Sequence, residues 1–139
     1  MYFSFGFQLV GIVTVLSLAL YVYMGIRVSQ ARQKYGVKAP AVTGNEEFER
    51  IFRVQANTNE WLVIFLPSLW LFATFVHDYI AAILGIVWIV GRYVYMEGYA
   101  EAAEKRSAGF GIQALATLIL LLGTLVGIIW GILRIGPLF

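Results

Sequence analysis

The chain has 139 residues, 60% hydrophobic, 16% aromatic and only 13% charged, with a net charge of +2; its mean hydropathy is +0.79. That balance excludes an ordinary soluble domain and a nucleic-acid-binding one, and it predicts a single all-α integral membrane domain over residues 1–139. No cysteine is present, which excludes disulfides, thiolate metal sites and a cysteine nucleophile, so any thiol chemistry must arrive with the substrate.

The first apolar run, residues 5–23, follows no basic residue and is too long for the core of a signal peptide, so it is expected to stay in the mature protein. Arg27, Arg32, Lys34, Lys38 and Arg50 cluster around the connection that comes next, whose residues 36–45 hold Pro40 and two glycines. Glu46, Glu47 and Glu49 then complement the N-terminal dipole of a second helix. This helix starts well before its apolar part, residues 61–76, and Pro67 predicts a kink because an interior proline removes one backbone hydrogen bond. The third helix is apolar over residues 80–95 and turns polar through Glu97, Glu101, Glu104 and Arg106. A turn at residues 107–111 leads to the fourth run, residues 112–135, where the spacing of Gly123 and Gly127 permits close helix contact.

With their flanks, all four runs reach the roughly 20 helical residues needed to cross a bilayer. The lysines and arginines place both long connections on the cytoplasmic side, with the termini and the His77-Asp78 turn opposite. A four-transmembrane-helix bundle is the expected fold. His77 has no second histidine or cysteine near it in sequence, and no metal site is expected.

Two stripes of polar residues interrupt this apolar pattern. At 100° per residue Asn57 lies about 40° and Glu60 about −20° from Arg53, while Gln55 points roughly the other way, about 200° off. On the third helix Tyr95, Tyr99 and Arg106 lie within about 60° of Arg92. If the two helices are antiparallel, Arg53 and Tyr99 are both about 10 Å from the cytoplasmic ends and Glu60 and Arg92 both about 21 Å. Ionisable groups at membrane depth cost roughly 2.5–3.5 kcal/mol each on insertion scales, so they are kept where something polar meets them. Glu60 and Arg92 could neutralise each other; alternatively the stripes enclose a small zwitterionic ligand bearing carboxylates.

The segment from Phe48 to Asn57 followed by Glu60, and the Arg92, Tyr95, Tyr99 spacing followed by Arg106, resemble the membrane-associated proteins in eicosanoid and glutathione metabolism, the MAPEG family. The likeness is to its microsomal glutathione transferase and leukotriene synthase members and runs the length of the chain. It implies a homotrimer that takes glutathione as cosubstrate between neighbouring protomers near the cytoplasmic face. Carried over residue by residue, it implies that Arg53, Asn57, Glu60, Trp61, Tyr95 and Tyr99 bind glutathione from one protomer and Arg32 and Gln55 from the next. Arg106 matches the arginine that stabilises the glutathione thiolate. Trp61 stands where members often carry tyrosine, and Gln33 replaces a second arginine of the leukotriene synthase, which weakens a leukotriene assignment.

The implied activity is a membrane glutathione transferase acting on hydrophobic electrophiles that enter from membrane lipid, with peroxidase activity on lipid hydroperoxides. A bacterial cytoplasmic membrane is the expected location, with the site facing the cytoplasm. Three alternatives are a lipid-presenting member without chemistry, a prostaglandin-type isomerase suggested by Ser107 directly after Arg106, and a small transporter. A transporter needs a polar path to the far face, and here polarity ends at Glu60 and Arg92.

Overall fold

A computed structural model describes residues 4–135, with Ile135 described in its backbone alone. Four long helices, α1 (Phe5–Tyr35), α2 (Glu46–Phe75), α3 (Asp78–Glu101) and α4 (Ser107–Ile135), make up nearly all of it, and a 3₁₀ turn (Ala103–Arg106) joins the last two. Local sequence sets the ends. Ser4 Oγ accepts from the Phe7 N–H at 3.3 Å, and Asn45 Oδ1 caps α2 by accepting from the Phe48 N–H at 3.0 Å. Gly36 closes α1 in the left-handed conformation, φ 69°, where a side chain would be strained. α2 runs unbroken through Pro67.

The bundle inverts the arrangement of a soluble protein. Val15, Ile83, Leu115 and Leu133 are 61–72% exposed, whereas Arg92, Gln113, Thr58 and Thr117 are buried. An exposed apolar surface of this extent is stable against hydrocarbon rather than water. The buried hydroxyls answer their own helices: Thr58 donates to the Val54 carbonyl at 2.7 Å, Thr117 to Gln113 at 2.8 Å and Thr124 to Leu120 at 2.7 Å.

Among the described residues, three stretches are long and apolar enough to cross a membrane: Phe5–Tyr35, Asp78–Glu101 and Ala103–Arg134. α2 is not one of them by composition, because its apolar part begins only after Glu60. At 1.5 Å per residue, its 30 residues still extend about 45 Å, longer than a hydrocarbon core of about 30 Å.

Packing is closest where α3 meets α4. A Cβ at Gly109 would lie 2.1 Å from the Tyr95 nitrogen and 2.7 Å from the Gly91 oxygen, so the two backbones touch there. Gly123 and Gly127 also admit a neighbour, which is α2: Cβ atoms there would come within 2.5 Å of the Phe72 ring and 2.7 Å of Val76. In the core Phe65 stacks on Trp88 with ring centroids 4.0 Å apart. Arg27 and Glu97 form an ion pair between α1 and α3, so Glu97 is not simply on a solvated face, as its spacing from Glu101 and Lys105 alone would suggest.

Candidate active site

Arg92 is the deepest charge, with no exposed surface. Its Nη1 and Nη2 donate to Asn57 Oδ1 at 3.0 and 3.1 Å, and Nη2 lies 3.5 Å from the Asn57 carbonyl. The guanidinium sits 4.6 Å from the Tyr95 ring centroid and 5.7 Å from that of Trp88. The pairing with Glu60, one of the two arrangements that equal depth allowed, is not made. Glu60 instead meets Arg53 Nη1 at 3.3 Å and accepts from Asn57 Nδ2 at 3.2 Å. The reason is desolvation: the Glu60 and Arg53 side chains are 54% and 53% exposed, and drawing the carboxylate into the dry position of Arg92 would strip its hydration. An amide can serve the buried cation without a second buried charge.

Arg106 is not on α3. The helix ends at Glu101, Ala102 is extended (φ −155°, ψ 145°), and Arg106 closes the 3₁₀ turn. The chain can fold back because Gly98 has no side chain; a Cβ there would lie 2.5 Å from the Lys105 oxygen. The return brings Arg106 to the stripe anyway: its Nη1 donates to the Tyr99 hydroxyl at 3.2 Å, and the guanidinium lies 5.1 Å from that ring's centroid. Tyr99 is 5.6 Å from Tyr95, centroid to centroid. Two arginines thus bracket a pair of phenols.

Arg53, Asn57, Tyr95, Tyr99 and Arg106 line one cleft of about 440 Å³, closed by Ser107, Phe110 and Gly111 at the start of α4. Its volume is that of a small-molecule site. The lining is rich in donors, and the positive end of the α4 dipole borders it, so the cleft favours an anion. Trp61 stands beside it and meets Phe110 edge-on at 5.4 Å.

The profile of the MAPEG family matches residues 10–126. The chain belongs to the MAPEG family. Within that family, human microsomal glutathione S-transferase 2 is 45% identical over 119 residues, covering 83% of this chain and 81% of its own. Bovine leukotriene C4 synthase is 37% identical over 117 residues, covering 84% and 78%. An uncharacterized protein of Synechocystis sp. is 53% identical over 119 residues, covering 86% and 87%.

For a MAPEG chain read from sequence, five of the expected site residues converge on the cleft, and Glu60 and Trp61 adjoin it through Asn57, Arg53 and Phe110. Arg32 and Gln55 lie elsewhere. Arg32 donates to the Val37 and Ala41 carbonyls at 3.3 and 2.6 Å and packs 4.8 Å from the Phe48 ring centroid, holding the connection after α1. Gln55 turns to α1, where a Cβ on Gly25 would be 3.2 Å from its Nε2. Phe110 and Gly111 were missed; four residues past Arg106, Phe110 is a helical repeat away, a signal obscured by the assumption of a turn over residues 107–111.

Proposed function

We propose that this cleft binds glutathione and stabilises its thiolate for attack on hydrophobic electrophiles. One observation carries the reading: Arg53, Asn57, Tyr95, Tyr99 and Arg106, the residues that the likeness assigns to glutathione, surround a single cleft. Their chemistry fits the molecule. Guanidinium, amide and phenol groups suit its two carboxylates and its carbonyls, Glu60 suits its ammonium, and Trp61 supplies an apolar wall. The names of the relatives, a glutathione S-transferase and a leukotriene C4 synthase, support the same class.

On this reading α2 is the fourth crossing, with its polar face turned toward the cleft. Three copies assemble as a homotrimer in which Arg32 and Gln55 of one protomer complete the cleft of the next. The membrane is a bacterial cytoplasmic one, with the cleft opening to the cytoplasm, where glutathione is supplied; the cyanobacterial relative supports that choice.

A free thiol of pKa about 8.5 is only about 3% ionised at pH 7, and the thiolate is the nucleophile. Lowering that pKa by about two units takes roughly 2.7 kcal/mol of preferential thiolate stabilisation. Arg106, oriented by Tyr99 and aided by the α4 dipole, supplies it and keeps its own proton throughout. In the transferase reaction the thiolate sulfur bonds to the electrophile's carbon as the leaving group departs with its electron pair. With a lipid hydroperoxide, sulfur takes the terminal oxygen and a second glutathione displaces it, giving the alcohol, water and oxidised glutathione. Ser107, which lines the cleft, favours a glutathione-dependent isomerase as the second reading; there glutathione is not consumed.

The deciding experiment is stopped-flow ultraviolet absorbance on the purified protein mixed with glutathione. Thiolate absorbance that saturates with glutathione and is lost in Arg106→Ala is expected. Absence of both thiolate signal and calorimetric binding would refute the reading.

A further inference from the structure

We infer that Arg92 is a positioning residue: its buried fork fixes the Asn57 amide with oxygen inward and the NH₂ outward, so Asn57 meets the ligand solely as a donor. The inference rests on the glutathione reading of the cleft and extends it to the ligand group that Asn57 accepts.

The orientation of an amide side chain is normally ambiguous, but a guanidinium removes the ambiguity. It carries donors and no acceptor, so the amide atom facing it must be oxygen. Both terminal nitrogens of Arg92 converge on Asn57 Oδ1, at 3.0 and 3.1 Å. The opposite end of the amide, Nδ2, has two protons. One is directed to Glu60 Oε2 at 3.2 Å, which leaves the other for the cleft that Asn57 lines.

Arg92 has little freedom to let go. It is fully buried, lies over Tyr95 and beside Trp88, and Trp88 is itself stacked on Phe65. Among the described residues no carboxylate comes within ion-pair distance of it. Its charge therefore reaches the floor of the cleft through Asn57 and polarises the amide toward donation. A donor held in this way selects a carboxylate or carbonyl oxygen and disfavours an ammonium. Glu60, on the same relay, is left as the group for the cation of a zwitterion.

The test is calorimetric affinity for glutathione, measured on the full chain in detergent for the wild type, Arg92→Lys, Asn57→Ala and the double variant. Lysine keeps the charge but cannot make the fork. Arg92→Lys is expected to weaken binding about tenfold, with the pH midpoint of thiolate formation left at its wild-type value. In the Asn57→Ala background the same change should have no further effect, because Arg92 acts through Asn57. Additive losses, or a displaced thiolate midpoint, would overturn the inference. Asn57→Asp gives an independent check should Arg92→Lys fail to fold. It keeps Arg92 partnered but turns an acceptor to the cleft, so glutathione binding should fall at least about tenfold; unchanged affinity would overturn the inference. A wild type that binds no glutathione removes the parent reading instead, and this one with it.

Discussion

Gly109→Ala is the most incisive single-atom perturbation of this molecule. The added Cβ would lie 2.1 Å from the Tyr95 nitrogen, 2.6 Å from its Cα and 2.7 Å from the Gly91 oxygen. All three are backbone atoms of a helix and cannot rotate away. Restoring ordinary contact needs α4 to move outward by about 1 Å or more, and overpacking of this kind costs about 1–3 kcal/mol. Arg106 is only three residues from Gly109 and moves with it, so its 3.2 Å hydrogen bond to Tyr99 stretches beyond hydrogen-bond range. A misplacement of about 1 Å at a reacting group can lower turnover on the order of a hundredfold. The assay is conjugation of glutathione to a chromogenic aryl halide, beside thermal unfolding in detergent. Gly131→Ala on the same helix is the control, since a Cβ there meets nothing within 4 Å; it should be neutral or slightly stabilising. Wild-type turnover and melting temperature in Gly109→Ala would refute the claim that this contact positions Arg106.

Other substitutions separate roles within the cleft. Arg106→Ala should lower turnover far more than glutathione affinity and move the pH midpoint of the rate up toward about 8.5, the value for a free thiol. Below that midpoint the rate falls because the protonated thiol is no nucleophile. Arg53→Ala should mainly weaken binding, and equal losses of both quantities in each variant would contradict the division. Arg32→Ala should free the segment that Arg32 holds by the Val37 and Ala41 carbonyls, read as faster proteolytic nicking within residues 36–45; an unchanged cleavage rate would show that the latch is idle.

The two polar stripes were legible in the sequence because helical period alone decides which residues share a face. Arg53, Asn57 and Glu60 needed only α2 to be a helix, and Tyr95 and Tyr99 only α3. The break before Arg106 was not legible. Residues 97–106 contain no proline and many good helix formers, and the helix stops because the chain folds back on Gly98, a tertiary contact. Nor was the exchange of partners among Arg92, Asn57 and Glu60. Equal depth along two axes predicts proximity, but the choice between an amide and a carboxylate is decided by what each loses on leaving water. Gln55 divides the two cases: its position opposite Arg53 was plain from spacing, whereas its approach to Gly25 of α1 was not.

Arg106 and Ser107 stand where the 3₁₀ turn passes into α4. The α3–α4 register is set at the Gly91–Gly109 contact, less than one helical turn along α4 from them. Scaffold and cleft are therefore coupled: any shift of α4 at that contact re-aims the Arg106 guanidinium and the Ser107 hydroxyl together. The aim of the cleft's cation and hydroxyl is thus decided by how closely two helix backbones approach, so a change buried between α3 and α4 can alter the cleft without replacing any residue that lines it.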